Sequence, residues 1–168
     1  QNAFANSSSS ILIAKIQGNI VDTLMPPLSP MELVAGYLAG AVGRGVCVAI
    51  ATGLAMALFL GITPAHPVIW FSFVLLGSAL MGALGLFAGI MANKFDQMAA
   101  ITNFIVTPLA FLSGTFYSVE ALPPSIAVLS YANPIFYLID GARFGMLGVS
   151  DAPPGVGLLV ALAATLAV

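Results

Sequence analysis

The chain has 168 residues, of which 60% are hydrophobic and 6% charged, with a mean hydropathy of +1.09. Soluble domains carry about a quarter charged residues, and four Lys/Arg with six Asp/Glu cannot coat a water-facing surface of this size. Lipid is therefore the solvent over most of the surface, and a net charge of −2 leaves no basic face for nucleic acid.

Cys47 stands alone in an apolar stretch, which excludes an internal disulfide and a cysteine-based metal site; it reads as a small packing residue. The chain opens on Gln1 with no basic segment leading into an apolar run, so no signal peptide is read there. It closes on Gly155–Val168, shorter than the ~20 residues of a full span. Both ends are expected to be internal to a longer membrane protein.

Backbone polar groups in a bilayer must be satisfied internally, and long unbroken apolar runs select helices over alternating barrel strands. The expected fold is an all-α, polytopic transmembrane bundle. Residues 1–14 read as the cytosolic end of a span and residues 15–28 as a cytoplasmic loop. Ser29-Pro30-Met31-Glu32 is a capping box with proline at the first helical position, launching a span over 30–61. Pro64-Ala65-His66-Pro67 is a tight turn into a second span, 67–92, so these two form an antiparallel hairpin. Asn93–Gln97 is polar, and a third span, 98–116, carries Pro108, which predicts a kink. Residues 117–153 are broken by Leu122-Pro123-Pro124-Ser125 and Asn133-Pro134. Ser125 is placed to cap a short helix, 126–131, and Asn133 a second, 135–147, too short to span. A last run begins at Pro154.

Lys15 and Lys94 flank the runs on one side, and the Pro64–Pro67 turn has neither Lys nor Arg, so the positive-inside rule puts Lys15, Asp22 and Lys94 in the cytoplasm. Ile13, Ile16, Ile20 and Leu24 recur at three- and four-residue steps, with Gln17, Asn19, Asp22 and Thr23 between them. That pattern predicts an amphipathic helix over Ile11–Leu28, lying on the membrane or docking in a partner's groove.

In order, Pro108-Leu109-Ala110-Phe111-Leu112-Ser113-Gly114-Thr115-Phe116-Tyr117, Leu122-Pro123-Pro124, Asn133-Pro134-Ile135-Phe136-Tyr137 and Asp140-Gly141-Ala142-Arg143 resemble the ABC-2-type permeases, membrane subunits of ABC exporters. The resemblance implies a dimer around a translocation pathway in the bacterial inner membrane, driven by a separate ABC ATPase subunit. It places the coupling helix at Ile16–Met25, with Ile16, Gln17, Ile20, Asp22 and Leu24 as ATPase contacts. It also makes residues 122–148 outer re-entrant helices. Such a permease binds no cofactor itself. No G-x-x-x-x-G-K-[ST] phosphate loop occurs in the sequence, so ATP is expected to be used on a partner polypeptide or outside this stretch.

Three charges fall in or near the apolar runs, where ionisable groups are costly. Arg44 is either a cation of the pathway or dimer interface, or a structural arginine that snorkels or pairs with an acid. Asp140 and Arg143, three apart on one helix, either pair to hold the outer helix or touch substrate. Gly36–Gly40, Gly85–Gly89 and Gly141–Gly145 repeat the G-x-x-x-G spacing that lets helix backbones approach, read as internal packing. Phe116, Tyr117, Tyr131, Phe136 and Tyr137 read as an interfacial aromatic belt, and His66 as a solvated turn residue. A membrane-embedded hydrolase would need a nucleophile and base; Ser113 and His66 are the only such pair, and nothing in their spacing joins them. A secondary transporter or channel would show repeated halves and broken midplane helices, and neither is evident.

Overall fold

The computed structural model describes residues 1–21, 25, 29–114 and 124–168, with the backbone course alone for 124–127. Its helices are α1 (Asn2–Ile16), α2 (Pro30–Leu60), α3 (Pro67–Met91), α4 (Phe95–Leu112), α5 (Pro124–Tyr131), α6 (Pro134–Leu147) and α7 (Pro154–Ala167). Among the described residues there is no strand, and α2, α3 and α4 are long and apolar enough to cross a bilayer.

The start of α2 obeys its local chemistry. Ser29 Oγ accepts from Glu32 N–H at 3.3 Å, and the Ser29 N–H donates to Glu32 Oε2 at 2.7 Å, so both bonds of the capping box form. Gly61, at φ +66°, ends the helix in the left-handed conformation that costs glycine nothing. The following turn returns the chain as α3, antiparallel to α2, with Gly82 against Ala41, Gly45 against Ser78 and Gly53 against Trp70.

α1 runs parallel to α3 and is the helix packed most intimately on it. A Cβ on Gly85 would lie 2.4 Å from the Phe4 carbonyl oxygen, and one on Gly89 would lie 2.9 Å from that of Ser8. Only glycine permits this backbone-on-backbone approach, so Gly85–Gly89 is a seam within the chain. Gly141 and Gly145 do the same for α6, against the Phe73 ring and the Trp70 backbone of α3. Gly36 faces open space, and only the Asn6 amide comes within 4 Å of a Cβ built at Gly40. α2 is correspondingly loose: of its 31 residues, Ala41 alone is buried.

Pro108 leaves its mark one turn earlier than the residue itself. Residues Thr102–Val106 of α4 form a π-helical stretch, and Thr107 Oγ donates to the Thr102 carbonyl at 2.9 Å. Proline lacks an N–H and crowds the carbonyl one turn back; the wider turn relieves that clash, and the Thr102 carbonyl accepts from both the N–H and the hydroxyl of Thr107.

Asn133 joins α6 to α4. Its Oδ1 accepts from Ile135 N–H at 3.0 Å as the cap of α6, and its Nδ2 donates to Leu109 O at 3.0 Å and Ser113 Oγ at 2.9 Å. One buried amide thus ties the start of α6 to the end of α4. α5 begins at Pro124, which puts Ser125 inside its first turn instead of at its cap. α6 runs antiparallel to α3 and finishes beside its start, where His66 N–H donates to Gly145 O at 2.8 Å and the His66 ring stacks on Phe144. α7 then turns back alongside α3.

Three further expectations need correction. The amphipathic stretch Ile11–Leu28 is not one helix: α1 stops at Ile16, and Gly18 sits at φ +76°. Ile11 is buried in the α1 packing and Leu12 is fully enclosed, so the first turns of that pattern belong to the bundle. Cys47 is exposed on α2, not packed inside. The π stretch also replaces a simple proline kink in α4.

Candidate functional site

The last turn of α1 carries a lysine. Lys15 Nζ donates to the carbonyls of Gly89 (3.1 Å), Ile90 and Ala92 (3.1 Å), all at the C-terminal end of α3. Terminal helix carbonyls lack partners within the helix, and the negative end of the helix dipole attracts a cation, so one ammonium group serves both needs. Just past it, Ile16 and Gln17 are exposed and Ile20 is half-buried. The expected contact residues Asp22 and Leu24 lie outside the described residues.

Arg44 stands near the middle of α2 and is exposed. Its Nη1 donates to Asn6 Oδ1 of α1 at 3.2 Å. Among the described residues no carboxylate lies within ion-pair distance of it. Asn6 is nine positions before Lys15 on α1, about 13–14 Å along the helix. The neighbouring Gly45 packs on Ser78, near the centre of the 25-residue α3. Taking Lys15 as one edge of a ~30 Å hydrocarbon core would put Arg44 close to its midplane.

Asp140 and Arg143 of α6 form an ion pair, and a third charge joins them. Arg143 Nη2 also reaches Asp151 Oδ2 at 2.9 Å. The Asp140 carboxylate accepts two backbone bonds from the turn before α7, from Asp151 N–H at 2.9 Å and Ala152 N–H at 3.0 Å. Asp140 is 3% exposed, so every oxygen needs a partner and has one. The cluster fastens the end of α6 to the start of α7. Asp151 is the residue that sequence reasoning missed. It sits in a loop eleven positions after Asp140 and eight after Arg143, outside helical spacing, and only the fold brings it to Arg143.

Ser113, the one nucleophile candidate, is buried with its hydroxyl donating to Leu109 O at 2.5 Å and accepting from Asn133. A cavity of about 310 Å³ between α1, α2, α3, α4 and α6 is walled mainly by apolar groups such as Val48, Phe73, Met81, Val106 and Leu138. Among the described residues, Lys15, Arg44 and the α6–α7 cluster carry the charges that bond to a neighbouring helix or turn.

The comparisons agree with the helical architecture. The model of the ABC-2 type transporter family matches residues 1–147. The chain belongs to that family. It is 40% identical over 153 residues to the "Inner membrane transport permease YadH" of Escherichia coli K12, covering 90% of this chain and 59% of the relative. It is 32% identical over 136 residues to "Nodulation protein J" of Rhizobium leguminosarum bv. trifolii, covering 76% of this chain and 50% of that protein. The chain thus spans between half and three-fifths of these ABC-2 relatives, and no solved structure matches it.

Proposed function

We propose that this chain is the membrane-spanning part of an inner-membrane ABC exporter permease, which forms a translocation pathway as a dimer and takes its energy from a separate ATPase subunit. The observation that carries this reading is the family match over residues 1–147, on a bundle with three helices able to span. The E. coli relative's name, an inner membrane transport permease, supports the location and the class of activity.

The coupling element is residues 15–28, where Ile16, Gln17, Ile20, Asp22 and Leu24 meet the ATPase. Closure of the ATPase pair on ATP presses this segment, and α1 with α3 carries the displacement into the membrane. Residues 122–148 form the outer re-entrant region, held by the Asn133 bridge and the Asp140–Arg143–Asp151 cluster.

The test is co-purification of the tagged full-length permease with the ATPase encoded beside it. Asp22→Lys, Ile20→Asp and deletion of Ile16–Met25 should each abolish association while membrane insertion persists. Unchanged association in all three would refute the coupling assignment.

A further inference from the structure

Arg44 is a full positive charge in the wrong place for a structural residue. A guanidinium stays protonated in proteins, so it cannot escape the membrane by losing its charge. Its depth, about 13–14 Å from the Lys15 level, is more than its own side chain can cover by snorkelling. It lacks a carboxylate partner among the described residues, and its bond to Asn6 answers a charge with a neutral amide.

The face around it is polar as well. Asn2, Asn6 and Ser10 follow at four-residue steps on α1, and all are exposed or half-buried, whereas a lipid-facing stripe would be apolar. The Asn6 backbone carbonyl already accepts from Ser9 Oγ at 3.3 Å and Ser10 Oγ at 2.7 Å. Asn6 Oδ1 is taken by Arg44, while among the described residues Asn6 Nδ2 and the remaining guanidinium N–H groups meet no acceptor. Surplus donors around a cation, at mid-membrane depth, are the chemistry of an anion site.

We infer that Arg44 and Asn6 form a recognition point for an anionic group, phosphate or carboxylate, on the cargo as it passes α1 and α2. This rests on the permease reading above and adds the class of cargo to it.

Cys47 offers a built-in reporter, since it is exposed and one helical turn from Arg44 on the same side. The full-length permease, with any other cysteine replaced by serine, is assembled with its ATPase in proteoliposomes. Its thiol is then labelled with anionic sulfonatoethyl or cationic trimethylammonioethyl methanethiosulfonate. Both use the same thiolate, so their rate ratio reports the local potential alone. The anionic-to-cationic ratio should fall about tenfold in R44Q and hold in R44K, as expected when reagents of opposite charge meet one charge roughly 6 Å away at near-aqueous dielectric.

Dodecyl phosphate should slow labelling of the wild type and not of R44Q, with dodecanol inert. If inorganic phosphate protects too, the site takes soluble anions. If only dodecyl phosphate protects, it takes an amphiphilic anion. No labelling by either reagent during ATP turnover, a ratio unmoved by R44Q (the mark of a neutralising acid from a second copy), or equal protection by dodecanol would each overturn the inference. ATPase co-purification, scored on the same samples, tells that failure apart from failure of the permease reading.

Discussion

Replacing Gly85 by alanine tests whether α1 and α3 are joined by backbone contact. The new methyl would sit 2.4 Å from the Phe4 carbonyl oxygen, against an ordinary carbon–oxygen contact of about 3.3 Å, so the helices must part by about 0.9 Å. A gap of that size forfeits roughly a quarter to a half of each contact's dispersion energy along the seam. Overpacking of this kind costs about 1–3 kcal/mol, and the better helix propensity of alanine returns up to about 1 kcal/mol. Gly85→Ala should therefore destabilise by about 1–2 kcal/mol. Gly89→Ala meets the Ser8 carbonyl oxygen at 2.9 Å and the Ser8 Cα at 3.1 Å, so it should destabilise as well, by less than Gly85→Ala. The two cannot add, because the separation forced at Gly85 already makes room at Gly89. The assay is the unfolding midpoint in dodecylmaltoside micelles titrated with sodium dodecyl sulfate, followed by circular dichroism. Gly155→Ala, where a methyl meets nothing within 4 Å, serves as the control. An unshifted Gly85→Ala, or a double variant whose loss exceeds that of Gly85→Ala by a further 1 kcal/mol or so, would refute the seam.

Two further predictions concern the two ends of α6. Asp140→Asn turns an acceptor toward the Ala152 N–H into a donor and leaves Arg143 with Asp151 alone, so it should cost about 2–3 kcal/mol in the same titration. A loss as small as that of an exposed ion pair, under 1 kcal/mol, would show that the cluster does not hold α7. Asn133→Ala removes a helix cap and both bonds to α4, and should cost about 2 kcal/mol or more in the same titration. Asn133→Asp keeps the cap but not the donor to Leu109 and Ser113, so it should also fail; full stability in Asn133→Asp would refute the bridge.

The membrane-helical class was legible from composition, and α2 was legible almost to the residue because capping is a local, three-residue code. The Gly18 break was harder to read, since isoleucine periodicity runs through it and one left-handed glycine costs the pattern nothing. The π stretch in α4 follows from Pro108 crowding its preceding turn, but sequence marks the proline and not where the strain is absorbed. The pairing of Arg143 with Asp140 lies within helical spacing, and the role of Asp151 does not. Lys15 could be read as a flanking charge; that it lands on three carbonyls of α3 depends on a parallel packing set by Gly85 and Gly89. Cys47 was misplaced because its neighbours in sequence are apolar, which distinguishes neither a core-facing nor an open side of α2.

The bond from Lys15 to the end of α3 has a mechanical consequence. α1 and α3 are clasped at their lower ends by the ammonium group and pressed together along the glycine seam above it, so they behave as one plate. A tug on the chain just beyond Gln17 cannot slide one helix along the other without breaking three hydrogen bonds. Compliance must then reside in the elements that the plate does not include: α2, of whose residues Ala41 alone is buried, and α4, whose widened turn is already part-way to a bend.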